Sequence, residues 1–166
     1  MAEFMNRAMP HVVITDSGLG GISVCAEIDR GLRRNGTGAR ITYFNALPRN
    51  GFGYNDLPDI SSRAAAFNPA LECMASFDPD MILIACNTLS VVYPHTGFSR
   101  KTRIAVSGII EVGVDLFCEN LSAEPASSIA LFGTRTTIEA GVHRARLSAG
   151  GTRPGSAAER ASWTNV

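Results

Sequence analysis

HVVITDSGLGG, at residues 11–21, holds the local signals from which the fold can be predicted. Residues 12–15 are all β-branched, which is typical of a strand buried in a sheet. Asp16 and Ser17 follow directly, and the glycines at positions 18, 20 and 21 allow the backbone to turn tightly. Apolar residues then recur with helical spacing over residues 22–34. The stretch therefore predicts a strand over residues 11–15, a tight turn and a helix.

The same order of strand and helix recurs along the chain. Aliphatic or β-branched runs predict further strands at residues 40–44, 81–85, 103–106 and 128–132. Helical spacing predicts further helices at residues 60–76, 89–100, 109–121 and 136–149. This alternation is typical of right-handed βαβ units. It predicts an α/β fold, a Rossmann-like and mostly parallel sheet flanked by helices.

The length of 166 residues provides for one ordinary domain with a single core. We expect residues 1–10 to be an N-terminal extension and residues 11–105 to form a first α/β domain. Residues 106–149 are expected to begin a second α/β domain. Residues 150–166 start with a turn-rich stretch and are too short for another strand and helix, so we expect a tail there.

Composition excludes several classes of partner. Fifteen Lys and Arg residues balance fifteen Asp and Glu residues, so the broad positive field of a protein that binds nucleic acid or an anionic membrane is missing. A small-molecule ligand fits this balance better. The sequence has no apolar run of signal-peptide or membrane-spanning length, which predicts a cytoplasmic protein. The four cysteines are widely spaced, which predicts reduced thiols and no metal.

Three predicted turns, at residues 16–21, 86–88 and 133–137, combine polar side chains with a helix start. In parallel sheets ligands collect at the carboxyl ends of the strands, and the free N–H groups of a helix start suit a carboxylate such as that of an amino acid. Cys86 directly follows a predicted strand, and the N–H groups there favour the thiolate, which is the form that accepts a proton. On composition alone, Asp16 fits either a helix N-cap or a catalytic group.

The other cysteines and two of the histidines fit structural roles. Cys25, Cys73 and Cys118 each lie inside a predicted helix with apolar neighbours, which is typical of small buried side chains. His95 and His143 have no catalytic partner in the sequence pattern, so we expect surface or capping roles for both.

Two motifs occur in order at a suitable separation. Residues 14–24, ITDSGLGGISV, and residues 84–88, IACNT, closely resemble the opening signature and the first cysteine motif of the glutamate racemases, within the aspartate/glutamate racemase superfamily. Residues 43–44, YF, with residues 51–53, GFG, are similar to a looser form of the family's Tyr-Phe segment and Pro-Tyr-Gly substrate loop. Residues 134–138, TRTTI, resemble its threonine-rich turn. The resemblance implies the N-terminal part of a two-domain racemase fold.

The resemblance implies an amino-acid racemase that uses neither pyridoxal phosphate nor any other cofactor, and that supplies D-glutamate for peptidoglycan in bacteria. In this family one cysteine thiolate removes the Cα proton while a second cysteine donates a proton to the opposite face. By motif, the implied catalytic residues are Cys86 and Asp16, and the implied substrate-binding residues are Ser17, Phe52, Gly53, Asn87, Thr88, Thr134 and Thr137.

The sequence also departs from the family pattern. It contains no second Cys-Thr-His motif, so we expect a chain that is cut short before that motif and is little active alone. Gly51 and Phe52 stand where the pattern has Pro and Tyr, which leaves the amino acid open between glutamate and aspartate. Two alternatives remain: a non-catalytic module that binds an amino acid or dicarboxylate, and another superfamily member that acts on aspartate, hydantoins or maleate. A homodimer, in which a subunit contact supplies missing groups, is also left open.

Overall fold

The computed structural model describes residues 9–48, 52–123 and 130–150. The chain divides into two compact units, Met1–Ile109 and Ile110–Val166. The start of the predicted extension, Gly51 and the predicted tail beyond residue 150 lie outside the described residues. Among the described helices, none is both long and apolar enough to cross a membrane.

A four-stranded parallel sheet forms the centre of the first unit, in the order β2-β1-β3-β4. Its strands are β1 (His11–Asp16), β2 (Arg40–Asn45), β3 (Met81–Ile84) and β4 (Ala105–Gly108). The first and last residues of each strand lie within two residues of the predicted bounds. The predicted α/β fold with a parallel sheet is therefore confirmed, and the crossovers place the ends of β1 and β3 side by side.

Helices connect these strands. They are α1 (Gly21–Arg34), α2 (Ile60–Ala75) and α3 (Asn87–Val92), with short 3-10 turns at Tyr54–Asp56, Tyr93–His95 and Phe98–Arg100. Asp59 caps α2, since its Oδ1 accepts a hydrogen bond from the N–H of Ser62 at 2.7 Å. This bond holds the pKa of Asp59 below its ordinary value.

The core of the first unit lies between the sheet and α2. Side chains alternate along a strand, so that Val13 of β1 and Ile84 of β3 reach the same cluster as Phe67 and Leu71 of α2. All four are fully buried. Each such side chain contributes roughly 1.5–3 kcal/mol through the apolar surface that it removes from water, so this cluster provides the rigid base under the turns that follow β1 and β3.

The helix predicted at residues 89–100 is wrong as a single element. The α-helix ends at Val92, and two 3-10 turns follow. Pro94 explains the break, because it has no N–H to donate to the carbonyl four residues earlier and its ring would clash with that carbonyl.

The second unit contains most of α4 (Ile109–Ala123), with α5 (Arg135–Glu139) and α6 (Val142–Gly150). The single helix predicted at residues 136–149 is wrong, because Gly141 adopts a φ of +63° that separates α5 from α6. The strand predicted at residues 128–132 is also wrong where it can be checked. Residues 130–132 are not a strand, and no described segment of this unit is a strand with which they could form a ladder.

The surface or capping role expected for His143 is wrong as well. Its side chain in α6 is only 5% exposed, and within the part of the chain that the structure describes its Nδ1 has no hydrogen-bond partner. Burial lowers the pKa of His143, so the neutral imidazole is favoured. His95, in contrast, is exposed as expected.

Candidate active site

The turns after β1 and β3 meet at one edge of the sheet. Thr15 pairs with Ile84 in the parallel register, and the N–H of Ala85 donates to the carbonyl oxygen of Thr15 at 2.8 Å. Because both strands run in the same direction, the residues that follow them leave the sheet side by side. As a result, Ser17 Oγ lies 3.3 Å from Cys86 Sγ, although the two residues are 69 positions apart.

Asp16 organises the first of these turns. Its side chain is 8% exposed, and both carboxylate oxygens accept backbone hydrogen bonds: Oδ1 from Ser17 N–H at 2.6 Å and Oδ2 from Gly21 N–H at 2.5 Å. Such charge-assisted bonds at the start of α1 are favourable, because the N-terminus of a helix carries a partial positive charge. The carboxylate of Asp16 therefore holds the backbone of this turn, although Gly20 occupies the N-cap position of α1, and Ser17 is the residue that contacts the Cys86 sulfur.

A side chain at position 21 would disturb this turn. A Cβ added to Gly21 would lie 2.8 Å from Asp16 Cβ and 3.2 Å from the ring of Tyr43. We expect Gly21→Ala to displace the carboxylate and to lower the free energy of unfolding by about 1–3 kcal/mol, the usual cost of overpacking. The measurement is urea denaturation followed by circular dichroism.

Gly18→Ala is the matched control for Gly21→Ala, since no described atom lies within 4 Å of the Cβ that it would add. Its unfolding midpoint should stay within experimental error of the wild type. Equal destabilisation by the two substitutions would contradict the tight packing argued for position 21.

Cys86 occupies the N-cap position of α3 with extended backbone, φ −129° and ψ 124°. Its side chain is half-buried at the border of the core cluster. Ser90 anchors the backbone of this turn, because both its N–H and its hydroxyl donate to the carbonyl oxygen of Cys86, at 2.9 and 2.8 Å. The thiol thus stands on a fixed turn beside a hydroxyl. Ser90 was not singled out from the sequence, where a serine inside a predicted helix carries no distinctive signal.

The remaining cysteines differ from Cys86 in position. Cys25, Cys73 and Cys118 lie on α1, α2 and α4, as expected for residues inside helices. The expected burial is wrong for Cys73, which is exposed, while Cys25 and Cys118 are half-buried. Burial, and secondarily the charge of Asp29, raises the pKa of Cys25, which keeps it a thiol. Among the described residues no three His, Cys, Asp or Glu side chains converge as a metal site would require.

Tyr43 of β2 fixes the other side of the first turn. Its hydroxyl donates to the carbonyl oxygen of Gly18 at 2.5 Å. Burial raises the pKa of Tyr43, and the charges of Asp16, Cys25 and Cys86 raise it further. The phenol therefore stays protonated and keeps donating to the turn.

The segment after β2 carries the two residues expected to form a substrate loop. Phe52 is 61% exposed and Gly53 is half-buried. The next residue, Tyr54, was not expected from the sequence to matter, although it directly follows that motif. It is 2% exposed, and burial raises its pKa well above the ordinary value, with the charge of Cys86 as a second cause. Tyr54 belongs to the core cluster against which Cys86 packs, so this segment lies near the thiol.

The two residues that follow Cys86 differ in solvent exposure. Asn87 is exposed at the start of α3, where its amide is accessible to a ligand. Thr88 is 4% exposed and faces the interior.

In the second unit, Thr134 is the N-cap of α5, and its hydroxyl accepts from the N–H of Thr137 at 3.4 Å. The two threonine hydroxyls lie 3.1 Å apart, with Thr137 buried and Thr134 exposed.

No model of a known protein family matches the chain. A glutamate racemase from a Nitratiruptor species is 31% identical over 134 residues, which make up 81% of this chain and 49% of the relative. The crystal structure of glutamate racemase from Campylobacter jejuni superposes with a TM-score of 0.69 at 25% identity, over 86% of this chain and 54% of that one. The chain is homologous to the glutamate racemases.

Another glutamate racemase, from Francisella tularensis, was solved in complex with D-glutamate and superposes with a TM-score of 0.67 over 90% of this chain and 50% of that one. Its sequence identity of 18% supports the likeness of fold alone. The chain spans about half the length of the glutamate racemases that it matches. The homology thus extends into both units of the chain and covers about half of a relative.

Proposed function

We propose that this chain carries one half of an amino-acid racemase site, with glutamate as the substrate, and that the thiolate of Cys86 exchanges the Cα proton on one face. The observation that carries the proposal is the contact of 3.3 Å between Ser17 Oγ and Cys86 Sγ, at the sheet edge where parallel α/β folds bind ligands. Homology to glutamate racemases supports the choice of substrate.

The proposed step is a proton transfer. The Cys86 thiolate takes the Cα proton, and the electron pair of the C–H bond stays on the amino acid as a carbanion. Solvent then exchanges the thiol proton, and the thiol returns a proton to the same face. Ser17 can donate a hydrogen bond to the sulfur, and Asp16 keeps Ser17 in place by accepting its backbone N–H at 2.6 Å. The chemistry requires no cofactor.

The other proposed binding groups surround the thiol turn. The exposed amide of Asn87, at the start of α3, suits the substrate carboxylate. Phe52 and Gly53 are proposed to form the wall after β2, and Thr88 to support the turn from inside. The binding role of Thr134 and Thr137 stays a prediction from their resemblance to the family motif.

Inversion needs a second proton donor on the opposite face, and the 166 residues contain no second Cys-Thr-His motif. We therefore propose that this chain alone exchanges the Cα proton without racemising its substrate. In the full racemase the same site would supply D-glutamate for bacterial peptidoglycan.

The test is to incubate the chain with each enantiomer of glutamate and of aspartate in D2O and to follow the Hα signal by proton NMR. We expect one enantiomer of glutamate to lose its Hα signal while chiral chromatography detects none of the other enantiomer. Binding of glutamate without exchange would favour the non-catalytic module. Exchange confined to aspartate would favour another superfamily member.

A further inference from the structure

Residues 52–57, called the Phe52 segment below, form a closed turn. The N–H of Gly53 donates to Asp56 Oδ2 at 2.7 Å, and the N–H of Asp56 donates back to the carbonyl oxygen of Gly53 at 3.1 Å. The N–H of Leu57 donates to the carbonyl oxygen of Tyr54 at 3.3 Å. These bonds set the shape of the segment, but they join it only to itself.

One attachment to the rest of the unit comes from the side chain of Tyr54. Its phenol donates to the carbonyl oxygen of Ala46 at 2.8 Å. Its ring meets that of Phe67 edge to face, with centroids 6.0 Å apart. Tyr54 therefore holds the middle of the segment against the core and against the end of β2.

Arg63 of α2 makes a second attachment, through two hydrogen bonds to the Phe52 segment. Its Nε donates to the carbonyl oxygen of Tyr54 at 2.9 Å, and its Nη2 donates to that of Leu57 at 2.7 Å. A guanidinium is always charged and presents its donors in a rigid fork, so one side chain satisfies both carbonyls. Because α2 packs on the sheet, this fork ties the segment to the rigid part of the unit.

We propose that Arg63 is a positioning residue, whose fork holds the Phe52 segment in the shape that receives the ligand beside Cys86. This inference rests on the proposed function, because it assumes that Phe52 and Gly53 contact the amino acid. A segment fixed in advance loses less conformational entropy when the ligand binds. Arg63 should therefore raise affinity while it leaves the proton transfer at Cys86 unchanged.

The test compares the wild-type chain with Arg63→Met, which removes the fork, and Arg63→Lys, which keeps the charge but can no longer span both carbonyls. Arg30→Met is the matched control, since Arg30 is an exposed arginine of α1 that pairs with Glu27. Hydrogen exchange is followed by NMR at the amides of Gly53 and Leu57. The amides of β1 and β3 report global unfolding.

We expect the Gly53 and Leu57 amides to exchange at least about tenfold faster in Arg63→Met, with an intermediate effect in Arg63→Lys and none in Arg30→Met. The amides of β1 and β3 should keep their rates. The glutamate concentration for half-maximal Cα exchange should rise by about tenfold, and the rate at saturation should stay the same.

Unchanged amide exchange in Arg63→Met would overturn the proposal, and so would faster amide exchange at an unchanged glutamate affinity. A fall in the saturated rate alone would also contradict it, because that result would place Arg63 in the chemical step. If the wild-type chain takes up no glutamate, the proposed function fails, and the amide rates then decide by themselves whether Arg63 orders the segment.

Discussion

Cys86→Ser should slow exchange of the glutamate Cα proton by about 10²–10⁴-fold, which is the contribution that a positioned general base commonly makes. Serine has nearly the shape of cysteine, so the turn anchored by Ser90 should persist. A serine hydroxyl is a far weaker acid than a thiol and does not form the anion that accepts the Cα proton. Glutamate binding should therefore survive, and the exchange should be lost. The measurements are the NMR exchange assay in D2O and a calorimetric titration with glutamate.

Cys73→Ser is the control for Cys86→Ser, because Cys73 is an exposed cysteine of α2, away from the sheet edge that carries the site. It should leave both exchange and binding at wild-type levels. If both variants exchange the proton as fast as the wild type, the proposed role of the Cys86 thiolate is wrong. If Cys86→Ser unfolds the chain, Cys86→Ala offers a second test with no polar group at the position.

Phe67→Ala should cost about 3–5 kcal/mol of the free energy of unfolding, the usual range for a buried phenylalanine. Phe67 is fully buried in the core cluster beneath the sheet and meets the ring of Tyr54. Removing its ring forfeits the transfer free energy of the side chain and leaves a cavity that the neighbours fill only in part. A domain is commonly stable by only about 5–15 kcal/mol, so this substitution should remove a large share of the total. Urea denaturation followed by circular dichroism measures it.

Phe77→Ala is the matched comparison for Phe67→Ala. Phe77 is 40% exposed and touches Phe44 with ring centroids 6.3 Å apart. Because water already reaches much of its surface, its removal should cost less than half as much as that of Phe67. Equal losses of stability at the two positions would show that the core does not depend on the contact between α2 and the sheet. Phe67→Ala should also speed amide exchange in the Phe52 segment, since Tyr54 loses its ring partner.

Local signals predicted the regular elements well. The β-branched run at residues 12–15 and the aliphatic run at residues 81–85 were placed as strands, because both combine strand propensity with an apolar character that only a buried sheet accepts. Two helix predictions failed where one residue interrupts a periodic pattern. Pro94 and Gly141 each ended a helix whose apolar spacing continued beyond it.

The same reasoning predicted only part of the candidate site. Asp16, Ser17 and Cys86 could be named from the sequence because they lie at or just after the ends of strands, where parallel sheets expose polar groups. Ser90 and Arg63 could not, since both lie inside helices and act through backbone carbonyls of other segments. Every residue has a backbone carbonyl oxygen, so the sequence does not show which residue accepts such a hydrogen bond.

The order of strands and helices was determined by the sequence itself, because periodicity and turn residues act between near neighbours and need no knowledge of the rest of the chain. Only the tertiary structure decided that Ser17 contacts the sulfur of Cys86 while both oxygens of Asp16 bind the backbone of their own turn. Those contacts depend on the register between β1 and β3 and on side-chain rotamers, and both are set when the whole sheet packs against its helices.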